Sequence, residues 1–460
     1  MSIFRAYDIR GIYGDDLTDE IMENIGSALA ALMKSKNMGK NILVGADIRE
    51  SSLALLEAFI RGAVKGGINV TNAGVTSFGI ALYSGWKLKK DVTAYITASH
   101  NPSEWNGIKF YDKDCVGFFE DMNSELGVLA GNKKFQEVKV KGNTDTVNMK
   151  DEYVDYLCSR FHVAKPLDVV VDCGNGSTCH SAPSVFSLVE NINPLIIFDN
   201  VDPSFSGRGA DVEEENLREL KKKAVKVGAS FGAAFDGDGD RVAIVDDKGR
   251  ALNSDQIAFV LAKSIFSGVT GGTMIVNVEC SMAIEKEMEA IGVRVVRIPV
   301  GHTYMMQSAR DEKALLGEET AFHFVLSEYF PFDDAIVVPL KLAEMLSQSD
   351  KKLSELVDAY PIHPKKRISV DCADDIKFSV IEDLRNKFRS EYDKVNVLDG
   401  VRVDFDDGWV LVRVSNTAPI IRITSEAVDE KTMNHFLDKY SAILKKEIKN
   451  MAGSNLSGAD

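Results

Sequence analysis

Three times along the chain, a set of short apolar runs alternates with helical patterns and ends in an unusual polar loop. The first set is Asn41-Ile42-Leu43-Val44-Gly45, Ile68 to Thr71 and Val92 to Ile96. The second is Asp168 to Val171, Leu195 to Phe198 and Ser230 to Phe235, and the third is Met274 to Val278, Arg294 to Ile298 and Ala314 to Leu316. Helical patterns lie between them, as at Ser52 to Val64, Glu215 to Val227 and Met282 to Ile291. Near-continuous apolar strands separated by helices predict parallel sheets covered on both faces. In such sheets ligands bind beyond the carboxyl ends of the strands. The three terminal loops are Thr97-Ala98-Ser99-His100-Asn101-Pro102, Asp236-Gly237-Asp238-Gly239-Asp240-Arg241 and Gly317-Glu318-Glu319-Thr320. Their corresponding positions predict three similar mixed α/β domains facing one cleft.

The last hundred residues follow another rule. Beyond Pro361-Ile362-His363-Pro364, Val401 to Phe405 and Trp409 to Val414 flank Asp406-Asp407-Gly408, a hairpin signal. Ile420 to Thr424 follows, then a helix from about Glu430 to Ile448, while Met451 to Asp460 reads as a frayed tail. This predicts a small α+β domain with an antiparallel sheet. The domains are expected at 1–147, 148–249, 250–362 and 363–460.

Charge narrows the partners. Lys plus Arg is 54 against 69 for Asp plus Glu, a formal net charge of −15. That argues against broad nucleic-acid binding, yet local arginines can reverse the field inside a cleft. No apolar run reaches the roughly 18 residues of a membrane helix, and the N-terminus lacks an apolar signal core. Cys115, Cys158, Cys173, Cys179, Cys280 and Cys372 form no C-x-x-C pair. They read as reduced core residues of a cytoplasmic protein.

Asp236-x-Asp238-x-Asp240 carries the strongest chemical signal. Carboxylates at alternate positions converge on a hard cation when the loop bends, and Gly237 and Gly239 clear the bend. An EF-hand would need glycine where Arg241 stands and helices where strands are expected. A solvated acidic turn is the bland alternative. Ser99 at a strand end is a candidate nucleophile or a turn serine. Lys109 is a proton acceptor if burial or nearby cations lower its pKa, and otherwise a surface charge. Arg413-Val414-Ser415-Asn416-Thr417-Ala418-Pro419 is either a phosphate cradle or a polar hairpin end.

These segments, with Tyr7-Asp8-Ile9-Arg10-Gly11 and Asn106-Gly107-Ile108-Lys109, resemble the α-D-phosphohexomutase superfamily over the whole chain, most closely its bacterial and archaeal phosphomannomutase/phosphoglucomutase branch. The resemblance implies four domains around a central cleft and a phosphoserine at Ser99. It implies Mg²⁺ held by Asp236, Asp238, Asp240 and the Ser99 phosphate. Arg241 would stabilise the transferring phosphoryl group, and Lys109 and His100 would assist proton removal. Glu318 and Thr320 would bind sugar hydroxyls, and His302 would face the substrate. Arg413, Ser415, Asn416 and Thr417 would grip the other phosphate, with Tyr7 and Arg10 nearby. The implied reaction interconverts hexose 1-phosphate and hexose 6-phosphate, of glucose or mannose, through hexose 1,6-bisphosphate. The implied protein is a monomer or homodimer. Amino-sugar phosphate mutase, sugar-bisphosphate synthase and a non-enzymatic sugar-phosphate binder are the alternatives.

Three departures stand out. The family's G-E-x-S-G-H loop becomes Gly317-Glu318-Glu319-Thr320-Ala321-Phe322-His323, which leaves His323 one place late and Phe322 as a pocket wall or a core residue. Glu279 stands where relatives often carry Lys or Arg, with Arg294 and Arg297 as candidate substitutes for the lost charge. Ala418 replaces a frequent Glu.

Overall fold

The structure is a computed structural model that describes residues 3–5, 7–133, 135, 138–415 and 419–457. Four sheets follow one another along the chain. The first runs Ile9–Ile12, Trp105–Asp112, Val92–Ile96, Asn41–Ala46, Asn69–Val75, Thr144–Thr146 in spatial order. The second runs Val242–Asp246, Phe231–Phe235, Leu167–Asp172, Ile192–Ile197, and the third Phe324–Leu326, Leu316–Glu318, Thr273–Asn277, Arg294–Ile298. All three share one core: three parallel strands, then a fourth that turns back antiparallel beside the third. The three units are the mixed α/β domains expected, and the one antiparallel strand is what the parallel reading of the apolar runs did not include.

The antiparallel return explains the polar loops. Each joins the third strand to its hairpin partner at the carboxyl edge: 97–104 in the first sheet, 236–241 in the second and 319–323 in the third. The strands on either side are buried, so these loops are where polar groups emerge.

The fourth sheet runs Lys365–Asp371, Ile420–Ala427, Gly408–Val414, Val401–Phe405, Val395–Asn396, antiparallel throughout. Phe405 pairs with Gly408, so Asp406-Asp407 forms the two-residue turn. The last helix runs Glu430–Ser457, longer than expected, and Met451 lies within it rather than in a frayed tail.

One apolar core joins the first three units. Tyr83 and Trp86, Tyr153 and Tyr156, and Phe330 come from three separate segments and pack ring to ring, with Tyr156 and Phe330 centroids 5.2 Å apart. The fourth unit has its own core and docks on the third. Arg402 covers Trp409 at 4.1 Å and donates to the Val278 carbonyl at 2.6 Å. Glu426 accepts from Ser281 Oγ at 2.5 Å and from the Met282 N–H at 3.0 Å, at the start of the helix Met282–Ala290. A carboxylate there offsets the unpaired amides of the helix N-terminus.

Candidate active site

Ser99 sits at the turn after Val92–Ile96 with φ +54°, a left-handed conformation uncommon for serine. Its amide donates to Thr97 Oγ1 at 2.8 Å. Its Oγ lies 3.2 Å from Asp236 Oδ2 and 3.3 Å from His100 Nδ1. The turn is held from beneath by Arg49, which sequence reasoning missed. Buried Arg49 donates to the carbonyls of Ser99 (2.8 Å), Asn101 (2.7 Å), Pro102 (2.5 Å) and Trp105 (3.0 Å), and pairs with Asp47 at 2.9 Å. One guanidinium thus satisfies four loop carbonyls. Arg49→Ala is expected to cost about 3–5 kcal/mol of stability, because Asp47 is left as an uncompensated buried charge. Chemical denaturation checks this, and a loss below about 1 kcal/mol would remove Arg49 from that role.

The aspartate loop meets this turn from the second unit. Gly237 approaches so closely that a Cβ there would lie 2.6 Å from the Ser99 carbonyl oxygen, and Gly239 has φ +87°. Ligand oxygens of Asp236, Asp238 and Asp240 lie within 4.8 Å of one another, all buried. Asp238 Oδ1 and Asp240 Oδ1 have no hydrogen-bond partner among the described residues. Buried carboxylate oxygens without partners are costly unless a cation takes them. An all-oxygen donor set beside a hydroxyl suits Mg²⁺ or a similar hard ion. Burial, with Asp240 and Asp238 nearby, pushes the Asp236 carboxyl well up.

Lys109 departs from expectation. Its Nζ reaches Asp240 Oδ2 at 2.6 Å and Asp238 Oδ2 at 3.1 Å. Burial alone would lower its pKa, but the two carboxylates outweigh burial and raise it. Here it is the counter-charge of the aspartate loop; a cation bound by those carboxylates would offset their pull and lower it toward a proton acceptor. His100 is shifted the other way, down to about 2, by burial and then by Arg241 and Arg10. It is a neutral imidazole. Arg10 donates to Asn101 Oδ1 at 3.0 Å and to the Ala98 carbonyl at 3.2 Å.

All this opens on a cleft of about 550 Å³. Six cations line it: Arg5, Arg10, Lys109, Arg241, Arg413 and Arg422, against Asp8 and Glu319. An acidic chain therefore presents a basic cleft, as an anionic ligand requires. Tyr7 lines it with its hydroxyl 3.4 Å from the Val300 carbonyl, and His302 and Asn101 also face it. Arg5 and Arg422 were missed. Arg422 lies on the half-buried face of the strand Ile420–Ala427, between the buried Ile421 and Ile423, with no local signal in the sequence to mark it.

The sugar loop needs a correction. Glu318 does not line the cleft: it is fully buried, and burial beside Asp255 holds its pKa well up. Thr320 hydrogen-bonds with Asn277 and Glu279 instead. Glu319, Ala321 and His323 face the cleft. Counted back from His323, the family pattern G-E-x-S-G-H puts Glu319 at its glutamate, Ala321 at its serine and Phe322 at its second glycine. Phe322 has φ +69°, a conformation that favours glycine. Its ring packs on the second unit's core around Val212 and Leu217 and does not wall the cleft.

Glu279 is also accounted for. Its carboxylate pairs with Arg367 at 2.6 Å and lies 3.8 Å from Arg413, both from the fourth unit. Arg294 and Arg297 do not enter the cleft; they pair with Glu312 and Glu285. Arg413 is further held by Asp399 at 3.0 Å. Ser415 is buried, its carbonyl accepting from Lys377 at 2.8 Å. Asn416 and Thr417, like Ala418, lie outside the described residues.

No helix among the described residues is long and apolar enough to cross a membrane. All six cysteines are free thiols.

Comparison with known proteins matches the four units in order. The phosphoglucomutase/phosphomannomutase alpha/beta/alpha domains I, II and III match residues 1–137, 151–249 and 253–362, and the C-terminal domain matches 368–442. A probable phosphoglucosamine mutase of Methanosphaera stadtmanae is 32% identical over 441 residues, 94% of this chain and 96% of its own. The phosphomannomutase/phosphoglucomutase of Pseudomonas putida is 32% identical over 444 residues, 95% and 94%. The crystal structure of a phosphoglucomutase/phosphomannomutase family protein from Burkholderia thailandensis superposes with a TM-score of 0.88 at 25% identity, covering 97% of each chain. Likeness of this extent, running through all four units, makes the chain a member of the phosphoglucomutase/phosphomannomutase family of α-D-phosphohexomutases.

Proposed function

We propose that this protein is a phosphohexomutase that interconverts the 1- and 6-phosphates of glucose or mannose. The observation that carries the reading is the meeting of Ser99 Oγ with the aspartate loop, at 3.2 Å from Asp236, buried directly beneath a cleft that its neighbours His100, Lys109 and Arg241 line together with Arg413 and Arg422. The units 1–147, 148–249, 250–362 and 363–460 each bring one loop: nucleophile, metal, sugar and distal phosphate. The free thiols suit a reducing, cytoplasmic setting.

Phosphorylated Ser99 donates its phosphoryl group to the free hydroxyl of a bound hexose monophosphate. The Oγ–P bond breaks and a sugar O–P bond forms. The hydroxyl proton goes to one of the two bases that line the cleft beside Ser99, Lys109 or His100. Arg241 faces charge that develops on the transferring group. Mg²⁺, when bound by Asp236, Asp238 and Asp240, supplies Lewis-acid stabilisation of the phosphoryl oxygens. Arg413 and Arg422 hold the phosphate that is not transferring. The hexose 1,6-bisphosphate then turns round, and its other phosphate returns to Ser99. Both orientations use the same groups, so the distal phosphate grip sits on a separate unit from the metal loop.

The second reading, an amino-sugar phosphate mutase, is favoured by one observation: the cleft carries Glu319 beside the small Ala321. A carboxylate pairs with the ammonium of a 2-amino sugar, and the first relative above bears a phosphoglucosamine mutase name. A coupled assay with glucose, mannose, glucosamine and N-acetylglucosamine 1-phosphates, at saturating Mg²⁺ and with hexose 1,6-bisphosphate, decides between them. Glucose and mannose differ only at the second carbon. One neutral hydrogen bond is worth about 0.5–1.5 kcal/mol, so the two should fall within about tenfold in kcat/KM. A charged hydrogen bond is worth about 1.5–3 kcal/mol, so a preference for glucosamine of about a hundredfold or more would select the second reading.

A further inference from the structure

We propose that Asp333, which does not itself line the cleft, is the positioning residue that fixes the tautomer of His323 and, through it, the aim of Arg241. The proposal rests on the reading of Arg241 as the cation that faces the transferring phosphoryl group.

The hydrogen bonds leave one arrangement. Arg241 Nε–H can only donate, and it lies 2.9 Å from His323 Nε2. His323 Nε2 must therefore offer its lone pair, and the ring's proton belongs on Nδ1. Nδ1 lies 2.7 Å from Asp333 Oδ2, which accepts it. The tautomer of a histidine is set by the partner of its other nitrogen, and here that partner is a carboxylate. A rival exists: Asp240 Oδ1 is 4.0 Å from the same nitrogen. Asp333 is nearer by more than an ångström and holds the proton.

Asp333 is placed to do this rigidly. Phe330 and Phe332 on its N-terminal side stack at 4.7 Å within the core that joins the first three units. Asp334 on its other side accepts from Tyr153 Oη at 2.8 Å and from the Ile336 amide at 3.0 Å. Asp333 itself is fully buried. Its Oδ2 also lies 3.3 Å from Nδ1 of His302, whose ring stacks on His323 at 5.0 Å. One carboxylate oxygen thus holds two imidazoles from separate segments.

The consequence concerns competition for Arg241. Its Nε is 3.9 Å from Asp240 Oδ1, a carboxylate of the metal loop. Without an acceptor at His323 Nε2, the guanidinium turns toward Asp240 and away from the phosphoryl group. The His323–Asp333 pair keeps the arginine free of the metal ligands.

Asp333→Asn in the full chain tests this. The Asn amide donates to Nδ1 and drives the ring proton to Nε2, where it faces Arg241 donor to donor, the known result of this exchange beside a histidine. The kcat is expected to fall by at least about tenfold, as for other residues that orient a catalytic histidine or ligand. The KM for hexose 1-phosphate should stay within about threefold, because the distal phosphate grip is untouched. Nitrogen-15 NMR of histidine-labelled protein, with His323→Gln to assign the signal, should show Nδ1–H in the wild type and Nε2–H in Asp333→Asn. In the His323→Gln background, Asp333→Asn should cost nothing further in kcat. An Nε2-protonated His323 in the wild type, or losses that add in the double variant, would overturn the proposal. Should Asp333→Asn not fold, the wild-type spectrum decides alone. A wild-type chain without mutase activity would sink the reading of Arg241, while the spectra would still decide what Asp333 does to His323.

Discussion

Ser99→Ala is expected to remove the phosphate from the purified protein's serine loop and to lower mutase activity more than about 1000-fold, as loss of a nucleophile does. No neighbour can stand in. Thr97 Oγ1 is committed to the Ser99 amide at 2.8 Å, Asp47 at 2.8 Å and Asp238 at 3.1 Å. Cys173 and Cys280 are buried in the apolar core. The fold should survive, because among the described residues Ser99 Oγ makes two long contacts, of 3.2 and 3.3 Å, and alanine meets the same backbone strain as serine. Stability should change by less than about 1 kcal/mol. Intact-mass and peptide mass spectrometry, with a coupled assay, read both effects. Phosphate found only on another residue, or substantial activity in the variant, would move the nucleophile away from Ser99.

The place of this serine at a strand end was legible in the sequence, while its reading as a phosphoserine came from the family resemblance. Val92–Ile96 is buried throughout, so a cluster of Thr, Ser, His and Asn immediately after it has no packing reason to exist. The aspartate loop was legible for the same reason, following the buried strand Phe231–Phe235. The sugar loop was not, because its register is anchored at the end a reader meets last. Gly317-Glu318 matches the family pattern letter for letter, yet His323 is the residue tied to Arg241 and Asp333, and the loop is set backward from it. Glu279 looked like a lost cation because its partners Arg367 and Arg413 lie on the fourth unit, roughly a hundred residues away along the chain. Arg49 and Asp47 were passed over for a related reason. Charges that follow a strand read as solvent-facing, and only the folded chain shows four carbonyls converging on one guanidinium. Local pattern reveals where polar groups emerge; it does not reveal what long-range pairing they satisfy.

Asp238→Asn is expected to weaken Mg²⁺ binding about a hundredfold or more while leaving the fold intact. Asp238 is fully buried, and its two oxygens have different duties. Oδ2 accepts from Lys109 Nζ and from Thr97 Oγ1, each at 3.1 Å, whereas Oδ1 has no partner among the described residues and is free for a cation. Asparagine keeps the shape but has one acceptor for these two duties. With its oxygen toward Lys109, its NH₂ points where the cation belongs; turned round, the NH₂ faces the ammonium. Removing one unit of charge about 4 Å from a dication, at an effective dielectric near 20, forfeits several kcal/mol before compensation, and a net loss of about 3 kcal/mol is the hundredfold expected. The backbone role of Asp238, whose carbonyl accepts from the Phe78 amide at 3.2 Å, is unaffected, and Asp240 still holds Lys109 at 2.6 Å. The fold should therefore stay intact by circular dichroism. Calorimetric titration with Mg²⁺, or Mn²⁺ binding followed by electron paramagnetic resonance, reads the affinity directly and independently of turnover. Unchanged affinity would mean that the orphaned Oδ1 atoms of Asp238 and Asp240 await something other than a metal ion, with Lys109, on their Oδ2 atoms, as the loop's permanent counter-charge.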